Sequence, residues 1–558
     1  MSKQKDDYIP LEDLESDNPN TALLHLEVVG PRTSSQDGIC LWSLRLLRAI
    51  RRLLSWQPFR ILSHVLKWVV IILLLVAFIT PLLFSSYRRS PKHYVDLAAR
   101  CQPQKSPGCA NQHSEKIFIA ISLYDRGGAL AGGKWGQTLL DLIYLLGPDN
   151  VFLSIYENDS DPAAASALRQ LKDQVSCRSE IVSEGAPSLD TFPTVDMPDG
   201  TKRVKRIAYL AEIRNRALRP LGRAGQSAFD KVLFLNDVFF DPLDAAHLLF
   251  NTNADPSTGR GQYLSACALD FFTPLRYYDI YALRDADGYY SGSTMFPFFT
   301  SAGRGQSRAD VLAQRDAVRV RSCWGGMVAV QAQYLQGGNE TLAKVDTRAA
   351  ESNSVDPDVR QGVAAPVQFR HEPGLFYDAS ECCLFQADVK EAARSAGAKE
   401  EEAGIFVNPY VRVAYTPDVL WEMRITRLWE RLLVIPSTLV NWWDSRPWPN
   451  PYREVRVGEE FREEIWADGG WKVEQRRGRP GMFCGVREMQ VILQKRREED
   501  GANYVSTRIP PGQSLEFPML WGKTLPENWE AEFATCTEAQ KKEYWDSPFW
   551  KPAVTCLT

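Results

Sequence analysis

Apolar residues at two different spacings mark the start of a folded region at Lys116. Residues 117–123 (IFIAISL) and 151–156 (VFLSIY) are nearly continuous apolar runs, which is typical of strands buried on both faces. Between them, residues 134–146 (KWGQTLLDLIYLL) carry apolar side chains at helical spacing and stop before Gly147 and Pro148. A strand, a helix and a strand in this order predict one βαβ unit with a parallel strand pair.

The same two spacings continue further along the chain. Residues 180–183 predict a third strand, and residues 204–218 (VKRIAYLAEIRNRAL) predict a helix with one apolar face. Residues 232–235 (VLFL) form a short apolar run typical of a buried central strand. These elements predict an α/β fold with a mostly parallel, doubly wound sheet.

A longer apolar run predicts a membrane anchor. Residues 68–84 (WVVIILLLVAFITPLLF) are free of charge over 17 residues, which is at the short end for a membrane-spanning helix. Six basic residues lie in 45–67 and three in 88–92, and this bias favours a cytosolic N-terminus. The run begins too deep in the chain for an ordinary cleaved signal peptide. The alternative is a buried core helix.

The anchor divides the chain into predicted segments. Residues 1–66 form a cytosolic tail, disordered at its polar start, and 67–87 form the transmembrane signal anchor. Within the tail, residues 41–66 either lie on the anionic membrane face or continue the anchor helix. A short stem (88–115) leads to the folded domain (116–420). Residues 421–558 are rich in tryptophan, charge and proline, and no pattern assigns them a role.

Composition narrows the compartment and the partners. The chain has 558 residues, a net charge of −4 and a pI near 6.0, so no basic tract predicts a nucleic-acid partner. Ten of its 11 cysteines follow the anchor, which fits a compartment where disulfides persist. Cys101 and Cys109 are the most local candidate pair. A bond between the adjacent Cys382 and Cys383 is disfavoured by strain.

The first candidate ligand-binding residues follow the fourth predicted strand. Asn236 and Asp237 come directly after the run that ends at Leu235. A carboxylate at the C-terminal end of a buried parallel strand lies where open α/β sheets bind their ligands, and it can hold a hard divalent cation. The alternative is an Asx turn that closes the strand.

Three other segments add donor-side candidates. The glycine-rich turn 126–134 can bring backbone N–H groups to a phosphate, but it matches no established phosphate motif, and the pattern favours a flexible turn. Glu157 begins an acidic cluster at the end of the second strand. Arg214 and Asn215 lie near the end of the predicted helix, where an arginine fork can bind a diphosphate or simply form an ion pair.

Acceptor-side candidates come from later segments. Asp270 and Asp279 lie in strand ends or loops after the metal candidate. Trp324 precedes two glycines, a combination suited to stacking a sugar while the backbone passes close. Glu381 is the carboxylate candidate for acid–base chemistry.

Seven ordered blocks resemble a known family. They are IAISLYDRGG, LSIYENDSD, RIAYLAEIRNRALRPL, KVLFLNDVFF, ALDF with YYDIYALRDADG, CWGGM, and SECCLF with FVNPYVRVAY. Together they cover about residues 116–420 and resemble the fungal cryptococcal-mannosyltransferase and capsule-associated-protein family of α-1,3-mannosyltransferases. The resemblance implies a GT-A-like fold, type II Golgi membrane topology, GDP-mannose as donor and a mannose-containing glycan as acceptor.

The resemblance also implies roles for the candidates. Asp237 holds Mn²⁺ or Mg²⁺, and the donor is bound by Glu157, Arg214, Asn215 and Asn236. Glu381 and Asp270 are the catalytic candidates, and Asp279 and Trp324 bind the acceptor. The sequence departs from a full DxD motif at Leu235-Asn236-Asp237, which leaves one carboxylate for the metal. A non-catalytic glycosyltransferase-like scaffold or glycan-binding protein in capsule or cell-wall polysaccharide assembly remains the alternative.

Overall fold

A computed structural model describes residues 57–506 and residue 537, except for 103–105, 186, 198–200, 224–227, 337–365, 400–403, 448–449, 451, 468–469 and 494–502. The chain divides into two compact units, one ending at Ser85 and the other beginning at Ser86.

The first unit contains one long apolar helix, α1 (Gln57–Leu83). Its segment Ile61–Leu83 has 23 residues and a mean hydropathy of 2.6, enough in length and composition to cross a membrane. Most of its large apolar side chains are exposed, unlike those of a core helix. The helix begins before the predicted anchor, so residues 57–66 continue it, as one of the two alternatives for 41–66 predicts.

The second unit contains the remaining described helices and strands. The helices are α2 (Lys92–Arg100), α3 (Lys134–Leu146), α4 (Pro162–Gln174), α5 (Arg206–Leu218), α6 (Pro242–Asn251), α7 (Gln306–Leu312), α8 (Glu381–Ser395), α9 (Pro417–Thr426) and α10 (Val434–Trp443). The strands are β1 (Ile117–Leu123), β2 (Val151–Glu157), β3 (Arg178–Ser183), β4 (Thr194–Asp196), β5 (Lys202–Val204), β6 (Lys231–Leu235), β7 (Ser265–Thr273), β8 (Arg276–Tyr277), β9 (Arg284–Asp285), β10 (Val318–Ser322), β11 (Met327–Gln331), β12 (Asp378–Ala379), β13 (Ile405–Ala414), β14 (Glu460–Ala467), β15 (Gly470–Arg477), β16 (Gly485–Val486), β17 (Gln490–Ile492) and β18 (Tyr504–Ser506).

A ten-stranded sheet forms the centre, in the order β3-β2-β1-β6-β11-β7-β13-β10-β9, with β8 paired to β7. The strands β3, β2, β1, β6, β7, β13 and β9 run in one direction, and β11, β10 and β8 run in the other. The mostly parallel α/β sheet confirms the predicted fold class, and the antiparallel β11 is inserted directly beside the strand that carries Asn236 and Asp237.

Alternate residues of β1 enter two separate cores. Ile119 and Ile121 face the core that contains Trp135 of α3, whereas Phe118 faces the core that contains Ile213 of α5. Both faces of the strand are therefore covered, which explains why its sequence is continuously apolar instead of alternating.

Residues 421–506 lie in the same compact unit as the sheet. β16 pairs with β12, next to the start of α8, and a disulfide joins Cys383 of α8 to Cys484. Arg284 donates from Nε to Phe483 O at 3.0 Å and from Nη2 to Cys484 O at 2.8 Å. The C-terminal segment therefore packs against the helix that presents Glu381.

The disulfides follow the local prediction and add two long-range pairs. Cys101 is bonded to Cys109, as predicted. Cys267 of β7 is bonded to Cys323, which directly follows β10. Cys383 is bonded to Cys484 and not to its neighbour Cys382, which is a buried free thiol.

Candidate functional site

The candidate site forms where β6 ends. The backbone N–H of Asn236 donates to Gly326 O at 2.9 Å, which fixes the chain leaving β6 against the turn before β11. The side-chain oxygen of Asn236 then accepts two hydrogen bonds, from Arg214 Nη1 at 3.1 Å and from Trp324 Nε1 at 3.3 Å. The strand end, helix α5 and the β10–β11 turn therefore meet at one amide.

Arg214 is the central cation of the site. Its Nε lies 3.0 Å from Glu381 Oε1 in the first turn of α8, and its guanidinium carbon lies 4.6 Å from the centre of the Trp324 ring. Burial opposes its charge, but Cys382, Glu381 and Asp279 raise the pKa of Arg214 above its ordinary value. The guanidinium therefore remains charged and has a fixed orientation.

Asp237 lies beside this cation at the end of β6. Burial raises the pKa of its carboxyl group to about 6, and the charge of Asp125 adds to the rise while Arg214 opposes it. Burial disfavours the charged form of this carboxyl group, and a cation bound beside it would stabilise that form.

Asp279 and Asp270 form a layer behind Arg214. Asp279 accepts hydrogen bonds from the backbone N–H groups of Gly325 and Ala282, at 3.3 and 3.0 Å. Burial raises its pKa, Glu381 adds to the rise and Arg214 opposes it. Asp270 accepts from Asp279 N at 3.2 Å and from the Tyr415 hydroxyl at 2.9 Å. Asp270 therefore supports the loop of Asp279 at the back of the cluster.

The Trp324-Gly325-Gly326 turn passes close to the neighbouring backbone, as its glycines predict. Gly325 has a φ of +61°, and a Cβ there would lie 2.0 Å from Ala268 O. Trp324 is 3% exposed and packs against Phe234 and Phe369. With Arg214 over its ring, Trp324 orients the guanidinium in this structure, and its acceptor role stays a prediction.

Glu157 lies at the end of β2, away from the Arg214 cluster. One carboxylate oxygen accepts from Ser183 Oγ at 2.8 Å, and the other is buried and has no hydrogen-bond partner among the described residues. Burial raises its pKa, with Asp125 and Asp161 adding to the rise. The unsatisfied oxygen is a feature that a bound hydroxyl or amide would complete, and the donor role of Glu157 stays a prediction.

The glycine-rich turn binds carboxylates of its own chain. Asp125 accepts from Leu130 N and Ala131 N at 2.9 and 2.8 Å, and Asp161 accepts from Gly127 N at 2.8 Å. These N–H groups are therefore already engaged, which favours the structural turn over the phosphate site. Sequence reasoning missed Asp125, a buried carboxyl just after β1 whose charge acts on Asp237. Its position after an apolar strand is the clue.

Asn215 is hydrogen-bonded to the segment that contains Phe369. Its side chain donates to Phe369 O at 2.9 Å and accepts from Phe369 N at 2.8 Å. In this structure both polar atoms of the Asn215 amide are hydrogen-bonded to the Phe369 backbone. Donor binding by Asn215 stays a prediction.

The side chains available as ligands limit how a metal ion would bind. Within the described part of the chain, no group of three or more His, Cys, Asp or Glu side chains could hold a metal ion. Asp237 can still supply one oxygen ligand to a hard cation, because Mg²⁺ and similar ions commonly bind through one carboxylate, substrate phosphates and water. The residues fit a metal shared with a bound diphosphate.

One comparison matches part of the chain to a family. Residues 116–388 match the family model described as cryptococcal mannosyltransferase 1, which supports the predicted family and a glycosyltransferase. No curated protein matches the chain.

Two solved structures are similar at low sequence identity. The mannosyltransferase PcManGT from Pyrobaculum calidifontis, in complex with GDP-Man and Mn²⁺, is 13% identical over 62% of this chain and 68% of its own, with a TM-score of 0.28. Mannosyl-3-phosphoglycerate synthase from Rubrobacter xylanophilus is 12% identical over 71% of this chain and 94% of its own, with a TM-score of 0.27. At these TM-scores neither alignment supports an argument about this site.

Proposed function

From the premise that residues 116–388 match a mannosyltransferase family, we propose that the protein transfers mannose from GDP-mannose to a mannose-containing glycan. The bond formed is α-1,3, and a divalent metal assists. The observation that carries the proposal is the fixed Arg214 cation, held by Asn236 and Glu381 beside the Asp237 carboxylate.

The diphosphate of the donor binds between Arg214 and Asp237. The planar guanidinium suits phosphate oxygens, and its ion pair to Glu381 sets the direction of its donors before the ligand arrives. Asn236 orients the same guanidinium from the strand side. Glu157, at the end of β2, contacts the nucleoside, and Asn215 supports this side of the pocket.

Asp237 is the metal ligand. Mn²⁺ or Mg²⁺ bound there supplies positive charge to the leaving diphosphate. The carboxyl pKa of about 6 means that Asp237 is mostly ionised at neutral pH and loses its charge below pH 6. Metal binding therefore weakens as the pH falls through this value.

Glu381 accepts the proton that the acceptor hydroxyl loses. Because the mannose is α-linked in the donor and in the product, the acceptor hydroxyl attacks the anomeric carbon from the face that the diphosphate leaves. The new C–O bond forms as the bond to the diphosphate breaks, and the hydroxyl proton moves to the Glu381 carboxylate. Asp279 and Trp324 line the acceptor side, with Asp270 positioning Asp279 through its backbone N–H. In this proposal Glu381 is the proton acceptor and Asp237 holds the metal that stabilises the leaving group, with Arg214 beside both.

A non-catalytic scaffold or glycan-binding protein is the second candidate function. The observation that favours it is the lone Asp237, since the described residues supply no complete metal site of their own. The two candidates differ in turnover of GDP-mannose.

The test uses the purified full-length chain in detergent. Hydrolysis of GDP-mannose and transfer to mannose-containing oligosaccharides are measured with Mn²⁺ and with EDTA. Glu381→Gln keeps an oxygen that can accept from Arg214 Nε but cannot take up the acceptor proton, so transfer should be lost while most of the GDP-mannose binding remains. Glu391→Gln is the matched control, because Glu391 lies on the same helix and also forms an ion pair, 2.6 Å from Arg394. Binding without turnover in the wild-type chain would favour the scaffold.

The proposed location is the Golgi membrane, with α1 as a type II anchor and residues 88–558 in the lumen. The apolar helix and the excess of basic residues before it support this topology. Protease added to sealed Golgi vesicles should remove the N-terminal tail and spare the rest. Digestion of the region after α1 in intact vesicles would reverse the assignment.

A further inference from the structure

Helix α10 presents its apolar side to the outside. Ser437 and Asn441 are buried, and the Ser437 hydroxyl lies 2.6 Å from that of Ser293. Trp442 and Trp443 are 76% and 80% exposed. This is the reverse of a helix on a water-soluble surface, which buries its apolar stripe and exposes its polar one.

The exposed apolar surface extends back through α9. We call it the tryptophan face; its main residues are Trp421, Trp429, Ile435, Leu439, Trp442 and Trp443. All lie between the start of α9 and the end of α10, and no comparable run of exposed large apolar residues occurs elsewhere in the described part of 86–506. Exposed apolar patches of this kind mark contact with a protein or a membrane.

The chain enters the second unit at this segment. Ser86 donates its backbone N–H to Arg427 O at 3.1 Å, just after the end of α9. Helix α1 ends at Leu83, only three residues earlier. Only Phe84 and Ser85 therefore lie in the chain between the anchor helix and Ser86.

Basic side chains line a cavity beside Arg427. A cavity of about 210 Å³ is lined by Arg88, Arg424 and Arg427, with Asp244 on its wall. The Nε of Arg427 is buried and has no hydrogen-bond partner among the described residues. Burial raises the pKa of Asp244 to about 7, with Asp241 adding to the rise, so its carboxyl is only partly charged at neutral pH. The cavity therefore suits lipid headgroup phosphates.

We propose that the tryptophan face lies in the interface of the bilayer that α1 crosses, with its tryptophans at headgroup level and the arginines of the cavity near lipid phosphates. Tryptophan prefers this depth because its ring is apolar and its N–H is polar. The inference rests on the proposed membrane anchoring and is independent of the proposed transfer reaction.

The test places a fluorescent probe at Leu439→Cys in the full-length chain, reconstituted in phospholipid nanodiscs. Quenching is measured with a nitroxide at the lipid headgroup and, separately, with iodide in the water. Val473→Cys is the control, since Val473 is exposed on β15 outside the tryptophan face. The wild-type chain, labelled in parallel, gives the background from native cysteines.

The position-439 probe should be quenched by the lipid nitroxide and shielded from iodide, whereas the position-473 probe should respond only to iodide. Adding Trp442→Ser and Trp443→Ser should reduce the lipid quenching at position 439. Their thermal unfolding should not change, because both side chains lie outside the core.

Each other outcome overturns the proposal in a distinct way. Iodide quenching at position 439 equal to that at 473 means that the face contacts water. Shielding from both quenchers means that a protein, such as a second copy of the chain, covers it. Carbonate extraction of the same membranes tests the anchor separately, since release of the wild-type chain would refute anchoring itself.

Discussion

Replacing Asp237 by asparagine should lower activity and raise stability in the same molecule. The change keeps the size of the side chain and removes the charge proposed to bind the metal. Loss of metal stabilisation of a leaving group is worth several kcal/mol, so transfer should fall by roughly a hundredfold or more. Excess Mn²⁺ should restore part of it.

The stability gain follows from the raised pKa of Asp237. The ordinary value is 3.8 and the folded value is about 6, a gap that corresponds to about 3 kcal/mol for a fully buried group. Because the side chain is partly exposed, we expect about 1–2 kcal/mol. The folded state binds this proton more tightly than the unfolded state does. Its contribution to stability is therefore complete below pH 3.8, declines as the pH rises, and is lost above pH 6.

At neutral pH the asparagine variant should therefore unfold roughly 1–4 °C higher than the wild-type chain. Differential scanning fluorimetry measures this shift, and Mn²⁺ with GDP should raise the wild-type melting temperature more than that of the variant. The control is Asp173→Asn, which removes an exposed carboxylate on α4 and should change neither activity nor stability. A variant that kept near-full transfer, or that melted lower, would refute the reasoning about this carboxyl.

Three further predictions concern other parts of the chain. Arg214→Lys should lower kcat/KM by at least about tenfold, because a lysine lacks the fork that reaches Glu381 and Asn236 together; Arg216→Lys on the same helix is the control, and equal rates for the two variants would contradict the central role of Arg214. Gly325→Ala should abolish folded protein because of its φ of +61° and the contact with Ala268 O, whereas Gly222→Ala, with nothing within 4 Å of the added Cβ, should express normally. Two N-x-S/T glycosylation sequences follow the anchor, Asn158-Asp-Ser and Asn339-Glu-Thr. Peptide mapping should find Asn158 without a glycan, because its side-chain nitrogen donates to the Tyr209 hydroxyl at 3.1 Å, and should find one at Asn339, which lies outside the described residues. A glycan on Asn158 in active protein would rule out a donor pocket at Glu157.

Much of the fold follows from local sequence. The strand at 117–123 and the helix at 134–146 have the predicted bounds, since each is determined by its own apolar spacing. The strand before Asn236 could also be predicted, because a short apolar run needs cover on both faces. These elements depend on residues that are close together in the chain.

The arrangement of the site was harder to predict. Nothing near Arg214 in the sequence indicates that its partner is Glu381, 167 positions later. Asp125 was missed because its effect on Asp237 arises only when β1 and β6 pair. The exposed apolar side of α10 was also missed, since a mixture of tryptophan and polar residues does not reveal which side of the helix is buried.

The disulfide between Cys383 and Cys484 affects the order in which the domain can be completed during synthesis. The bond spans 101 positions, so α8 emerges with its stabilising partner still to be translated. Until Cys484 arrives, the helix that presents Glu381 lacks this covalent brace and the adjoining β16. A chain stopped at residue 420, although it contains the whole region matched to the family, should therefore be a poor substitute for the longer chain in expression work.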